Sequence, residues 1–557
     1  MKRITRIWTT GKYLPLLTAT MFLFACQARE TMVDNGIRQG ILHFGNASEP
    51  RELDPQVTTG VTEQNILSAV FEGLVTEEPG TLKIVPATAE RWDVLDDGAR
   101  YRFHIRPNAR WSNGEPLLAE HFKYAFQRIL SPEFGAPYAY MLYCIKGAED
   151  FHRQLAQDFD DVGIAILDAN ILEITLHTPI PHFLTKLTHM AWFPVHPPTI
   201  EQHGGMTAIG TSWTRPATFV GNGPFALSQW YPNRHIKVVR NPHYWDRDKV
   251  KLNAIVFYPI GDHAIEERAF RAGQLHITGT VPVERIAYYQ RNHPEILSLE
   301  PYLGTYYYLL NTKRPPLDNP HIRRALALTI DREQITRVIT RAGETPAFHF
   351  TPPATGDYTT TAKLEGTPDE ARQLLADAGF PGGQGFPVLT ILYNTADTHA
   401  RIAEAIQQMW RQQLGIRVEL NNMDWKVYLD ATQSGQYDIA RAGWIGDYLD
   451  PETFLNLWVT DGGNNRTGWS HPEYDRLIRT AATTIDPMQR LTAFQQAEDI
   501  LMQKLPVIPI YFYRSKSLIH PSVRGYYPNL LDRHSWKHIH LEHPRNDEIH
   551  ATQEPAP

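Results

Sequence analysis

Apolar side chains recur along this chain with two periods, one helical and one strand-like, and the elements they predict alternate. In "GVTEQNILSAVFEGLV" Ile66, Leu67, Val70, Phe71 and Leu74 share a helical face. In "LAEHFKYAFQRIL" Phe122, Ala125, Phe126 and Ile129 do the same. "HIRRALALTIDREQITRVIT" reads as one long helix, and "PDEARQLLADAGF" as a helix closed by Gly379. "RIAEAIQQMWRQQLG" and "MQRLTAFQQAEDILMQKL" add two more. Period-two stretches lie between them. "RWDVLDDGARYRFHIRPNARW" predicts a hairpin around Asp97-Gly98. "DANILEITLHTP", "NRHIKVVRNPHYW", "GTYYYLLNT", "PVLTILYNTAD", "IRVELNNMDW" and "VIPIYFYRS" read as strands. Alternating helices and strands with added hairpins define an α/β chain with mixed sheets. No fixed-period repeat interrupts this order.

The chain has 557 residues, which is long for one core and implies two or three domains. It is 42% apolar and 11% aromatic, as a packed globular protein is. Its net charge is −7 and it has no long basic run, which argues against a nucleic-acid partner.

The first residues carry Lys2, Arg3, Arg6 and Lys12, then an apolar run from Tyr13 to Ala25. This is the pattern of a signal peptide over residues 1–25. The run is shorter than the ~20 residues a membrane span needs. It ends Leu23-Phe24-Ala25-Cys26, which looks like a bacterial lipobox, so Cys26 is the expected site of lipidation. Such a chain is exported and anchored to a membrane. Residues 26–40 are polar and predict a flexible tether, and residues 544–557 a disordered tail. Cys144 is the one other cysteine, so neither a disulfide framework nor a cysteine metal site is expected; it reads as a small buried residue.

Catalytic signatures are missing. There is no phosphate loop, no G-x-S-x-G elbow, no H-E-x-x-H and no C-x-x-C. In "HSWKHIHLEH", His534 and His538 have the spacing of a shared helical face, but a solvated polar segment is the simpler reading there. The expectation is a protein that is not an enzyme and holds neither metal nor cofactor.

One stretch raises a different chemistry. In "IARAGWIGDYLDP", Arg441 and Asp447 flank Trp444 in an apolar strand that turns at Gly446. Buried charges are costly unless paired. Arg441 has Asp438 or Asp447 as internal partners, and Asp447 is placed to cap the turn, where Asp450 competes. Alternatively, both await a ligand carrying one charge of each sign.

Several long stretches resemble the family 5 extracellular solute-binding proteins, the oligopeptide and dipeptide binders of ABC importers. They are "YRFHIRPNARWSNGEPLLAEHFKYAFQRIL", "NGPFALSQWYPNRHIKVVRNPHYWD", "FRAGQL", "LDNPHIRRALALTIDRE" and "ARAGWIGDYLDPETFLNLW". The resemblance runs from about residue 41 to 542 and is strongest to the oligopeptide-binding branch. It implies a two-lobed periplasmic-binding-protein-like fold of three domains, with the ligand cleft between the lobes. Residues 41–75, 200–303 and 514–543 would form the main domain of lobe I, 76–199 an inserted domain, and 304–513 lobe II. The sequence departs from the family at His121 and His276, where acidic residues are common, and at Gly304 and Ile445, where close relatives have two cysteines.

The resemblance also implies roles. Asp447 matches the acceptor of a peptide α-amine, and Arg441 a residue that meets the peptide carboxylate. His399 and Arg314 match two further basic positions, at other depths. Thr432 replaces a basic residue of close relatives. Thr59, Gly60 and Val61 on one side, and Gly443 and Trp444 on the other, match segments that flank a strand-like ligand; main-chain recognition of this kind leaves side chains largely unread. Tyr138, Trp425, Trp444 and Tyr513 would line roomy, water-filled pockets. The implied partners are short peptides and a membrane ABC permease, for a monomeric carrier that breaks no bond. Rival readings are a binder of a dedicated ligand (murein tripeptide, nickel chelate or haem), an exported hydrolase, and a peptide-sensing lipoprotein.

Overall fold

The computed structural model describes residues 30–544. The expected signal peptide and Cys26 lie outside them, as does residue 545 onward of the expected tail. Three larger sheets organise the chain. The first orders Ile41–Gly45, Ala254–Tyr258, His235–Arg240 and Phe225–Tyr231, with the outer pair Ile41–Gly45 and Ala254–Tyr258 parallel. The second is antiparallel throughout, Ala89–Leu95, Arg100–Ile105, Ile171–Thr175 and Ile164–Asp168, and holds the expected hairpin. One continuous apolar core joins these two sheets and includes Phe103, Trp111, Phe126 and Trp192. The third sheet has six strands in the order Thr345–Pro346, Val507–Leu518, Leu297–Leu310, Ile439–Ile445, Leu389–Asn394 and Val418–Met423. Its own core contains Tyr308, Leu326, Trp410 and Phe494. The fold is thus α/β and two-lobed.

Two strands run through both lobes. Leu297–Pro301 pairs with Leu518–Arg514, and Thr305–Leu309 with Phe512–Val507; the register shifts between Pro301 and Thr305. The ladder is interrupted where the chain passes from one core to the other, which is where a hinge needs slack.

Three local expectations are corrected. The supposed tether contains the helix Met32–Gln39. Thr31 and Asp34 form a reciprocal cap at its start, and Gly40 ends it in the left-handed region (φ 67°). Val33 is buried and its N–H donates to Gly273 O at 2.9 Å, so the segment from residue 31 to 40 is docked on the first lobe. The supposed single helix over 321–340 is two. Pro320–Leu328 ends, and the chain restarts at Asp331, whose side chain accepts from Gln334 N. The buried Arg332 guanidinium donates to the carbonyls of Ala327 and Ile330, both 3.1 Å, and of Pro509 at 2.8 Å. It thereby satisfies acceptors that the break leaves without helical partners. Lastly, His534 and His538 share no helix: His534 stacks on Tyr526 and bonds Asp532, while His538 bonds Ser535.

The two histidines at family acidic positions keep an acidic side chain's acceptor role. His121 Nδ1 accepts from Leu118 N at 3.1 Å and Trp111 Nε1 at 3.0 Å, closing the first turn of Ala119–Leu130. His276 Nδ1 accepts from His43 N at 3.0 Å. Burial pushes His121 down to about 4 and His276 to about 2, so both rings are neutral acceptors at pH 7. Gly304 and Ile445, at the cysteine positions, are cross-strand partners, and the Ile445 side chain occupies the space that Gly304 leaves. Cys144 is buried, and its thiol is pushed up to about 12, mainly by desolvation. Among the described residues no helix is long and apolar enough to cross a membrane.

Candidate functional site

The strand Ile439–Ile445 is paired unequally. On one side it is antiparallel to Leu297–Leu310 along its whole length, Gly304 facing Ile445 and Leu310 facing Ile439. On the other side it is parallel to Leu389–Asn394 only at Ile439 and Ala440. From Arg441 to Ile445 that second edge is open. The hydrogen-bonding direction alternates along a strand. Gly446 N–H points to the paired side, donating to Leu303 O at 2.7 Å. The Arg441 carbonyl points to the open side, where the Tyr428 hydroxyl donates to it. By alternation the N–H and C=O of Gly443 also face the open edge. Gly443 is the one exposed residue of the strand. A Cβ there would overlap the Tyr513 hydroxyl, so the position needs glycine for space.

This edge forms one wall of a cavity of about 980 Å³ between the lobes. Thr59, Gly60 and Val61 line it from the first lobe, just before and at the start of the helix Val61–Val70. A Cβ on Gly60 would overlap the Glu63 carboxylate. Tyr138, Trp425, Trp444 and Tyr513 are also in the lining. Trp425 stacks on Tyr428 at 5.7 Å, and Tyr138 lies 6.4 Å from Trp444, ring centre to ring centre.

Arg441 is a cation with no carboxylate within 4 Å among the described residues. Its guanidinium donates to Asn394 Oδ1 at 3.2 Å and to the Tyr513 hydroxyl at 2.9 Å, and lies over the Tyr306 ring at 4.9 Å. Its buried Nε has no partner. Asp438, one internal partner weighed from sequence, is instead 3.0 Å from Arg314. Aromatic faces and neutral oxygens stabilise the cation and leave its charge uncompensated.

Asp447 is buried, at 6% exposure. Thr453 Oγ1 accepts from its N–H at 2.8 Å and donates to Oδ2 at 3.1 Å. Oδ1 faces the Tyr138 hydroxyl at 3.5 Å and His189 Nε2 at 3.3 Å. The turn cap is Asp450, whose Oδ1 accepts from Glu452 N and which also pairs with Arg490. Asp447 is therefore free of that duty. Thr453, His189 and Tyr428 were not singled out from sequence. Thr453 and Asp447 both fall in "GDYLDPET", but nothing in the sequence ties His189 or Tyr428 to the strand.

Two expected cations lie elsewhere. Arg314 does not line the cavity and pairs with Asp438. His399 does not line it either; its Nδ1 is 3.3 Å from the Tyr306 hydroxyl. Burial and then the Arg441 charge hold His399 well below the usual imidazole range, so it is neutral at pH 7. Thr432 is fully buried and its hydroxyl accepts from Arg466, a cavity residue.

Outside the cavity lining the lobes touch through charge. Lys186 Nζ meets Glu452 Oε1 at 2.9 Å, and His182 Nε2 meets Oε2 at 2.9 Å. Against burial, which alone would raise it, Lys186 and His182 hold the Glu452 carboxyl well below the usual range. His182, Asp450 and Glu452 have metal-ligand spacing, but Lys186 and Arg490 already supply both carboxylates with cations.

A cavity closed between two lobes, walled by a strand with a free edge, by Arg441 with no carboxylate within 4 Å and by Asp447 faced by His189, defines a binding protein of the two-lobed class. The profile of the bacterial extracellular solute-binding proteins, family 5 (middle region), matches residues 83–466, and the chain belongs to this family. It is 35% identical over 494 residues to the periplasmic oligopeptide-binding protein OppA of Salmonella typhimurium, covering 86% of this chain and 88% of that one. The structure of the Escherichia coli murein tripeptide binding protein MppA superposes with TM-score 0.86 at 34% identity, over 90% of this chain and 99% of that one. The unliganded open form of MppA gives 0.62 at the same 34% identity, over 91% and 98%. The lobes of this chain are thus not in the open arrangement.

Proposed function

We propose that this protein is the peptide-capturing component of an ABC importer. The observation that carries the reading is the open edge from Arg441 to Ile445, flanked by the uncompensated Arg441 and by Asp447. An extended peptide adds to such an edge through main-chain hydrogen bonds. Its ammonium meets Asp447 and its carboxylate meets Arg441. Each is a charge-assisted contact of about 1.5–3 kcal/mol. Six residues separate the two side chains, at most ~20 Å of extended chain. Allowing for their inward reach, an extended ligand of about three to five residues fits. Thr59, Gly60 and Val61 offer backbone from the other lobe. Tyr138, Trp425, Trp444 and Tyr513 surround the ligand side chains without charge, which favours low sequence selectivity.

The similarity to periplasmic peptide-binding proteins supports export, periplasmic location and delivery to a membrane permease. Ligand bridging both lobes shifts the open–closed equilibrium toward the closed form that docks on the permease. Anchoring through Cys26, a monomeric state and the absence of catalysis belong to the same reading. We assign Arg314 and His399 no direct contact in this closed form. The test is native mass spectrometry of the protein from residue 27, as purified and after denaturation. Release of mixed short peptides is the expected result. A single defined mass would move the protein to a dedicated ligand.

A further inference from the structure

A second cation shares the cavity. Arg466 lines it beside Tyr428, Leu429 and Leu457. Its guanidinium donates to Thr432 Oγ1 at 3.1 Å, and among the described residues no carboxylate lies within 4 Å of it. The loop that carries it is held in place. Asn465 Nδ2 donates to the carbonyls of Trp458, Val459 and Trp469, and the Tyr437 hydroxyl donates to the Arg466 carbonyl at 2.6 Å. A half-buried guanidinium on a fixed loop, given one neutral partner, has donors left for an anion.

Its place differs from that of Arg441. Tyr306 and Tyr307 are successive strand residues and point to opposite faces of the sheet. Arg441 covers Tyr306. Tyr307, which itself lines the cavity, packs edge-on against Trp458 at 5.7 Å, and Asn465, next to Arg466, donates to the Trp458 carbonyl, so the Arg466 loop lies on the Tyr307 face. The two guanidinium groups therefore approach the open edge from opposite faces. A peptide added to that edge turns successive side chains to opposite faces as well.

We propose that Arg466 is a second carboxylate-reading residue, receiving a ligand carboxylate on the face of the bound strand opposite to Arg441. This rests on the peptide-binding reading above. The carboxylate comes either from an acidic side chain or from the C-terminus of a longer peptide. The protein therefore favours ligands with two anionic groups, or accommodates two lengths.

Calorimetry on the wild-type protein, R466Q, R466K and R441Q separates these cases. The probes are alanine tetrapeptides with Glu or Gln at each position after the first, and pentaalanine as free acid or C-terminal amide. We expect at least one Glu/Gln or acid/amide pair in which wild type prefers the carboxylate by tenfold or more. R466Q abolishes that preference, R466K keeps part of it, and R441Q leaves it in place. Preference within a Glu/Gln pair identifies the side chain as the source, and preference within the acid/amide pair the terminus. Equal losses for both members of every pair in R466Q, or no loss, overturn the proposal. The wild-type data judge the underlying reading separately: failure to bind any of these peptides overturns peptide capture, and this inference with it.

Discussion

Lys186 and Glu452 form a 2.9 Å ion pair whose partners belong to different lobes, with the Lys186 side chain only 3% exposed. Two desolvated charges hold a closed interface only while both are present. Lys186→Met leaves Glu452 with His182 and, farther off, the Arg490 charge. We expect peptide affinity to fall by about 3 kcal/mol, roughly two powers of ten. Lys186→Met combined with Glu452→Met restores most of it. Calorimetric titration of the single and double variants reads this directly, and an unchanged Kd in the single variant would separate the pair from closure.

Asp447→Asn removes the carboxylate charge at that end of the open strand. A loss of about 2–5 kcal/mol is expected for free-amine peptides. N-acetylated peptides, which bring no ammonium, bind wild type weakly and lose little more in the variant. Comparable affinity of acetylated and free peptides for wild type would remove Asp447 from the amine site.

Gly443→Val places a side chain against the Tyr513 hydroxyl, which accepts from Arg441. Arg441 then loses its orientation, and the open edge is crowded. Affinity falls at least about tenfold, a change of 1.4 kcal/mol. The variant unfolds within a few degrees of wild type, since the strand's paired edge is untouched. Thermal unfolding and titration together distinguish this from general damage.

Three buried rings give the first lobe a pH dependence. His43 stacks on His276 at 5.6 Å, and His520 packs edge-on against His276 at 6.1 Å. Burial pushes His43 and His520 to about 4 and His276 to about 2; Lys237 adds to the effect at His43, and Asp34 opposes it at His520. Their folded pKa values are below the unfolded value, so the unfolded chain binds more protons as pH falls. Their contribution to stability is full above pH 6.5 and is lost toward pH 4. Glu266, pushed up to about 8 by burial, and Glu63, also raised by burial, have the opposite sign, but the lowered histidines, His121 at about 4 among them, outnumber these two. The urea midpoint of the ligand-free protein should drop from pH 6.5 to 4, and His276→Asn should shallow that slope by about one proton.

Much of this was legible in the sequence. The strand-like run at residues 304 to 312, the hairpin at Asp97-Gly98 and the helices ending at Gly379 and Gly415 follow from local periodicity and turn chemistry. Such signals act over a few residues and survive any tertiary arrangement. Local caution also failed in two places. Residues 31 to 40 look like a tether because a capped helix with one buried valine carries little apolar signal. The break before Asp331 is hidden because Arg332 reads as a surface residue until its carbonyl partners are known.

The chain alone set the α/β class, the exported character suggested by its first residues, and the presence of Arg441 and Asp447 beside an apolar strand. Whether those charges pair internally was decided only by folding. Asp438 is taken by Arg314 and the turn by Asp450, which leaves Arg441 without a carboxylate within 4 Å and Asp447 facing His189. The same holds for Arg466, brought to the cavity from a distant segment, and for His189, brought to Asp447. A charge's partners are set by distances of a few ångströms between residues tens to hundreds of positions apart, and no local pattern encodes them.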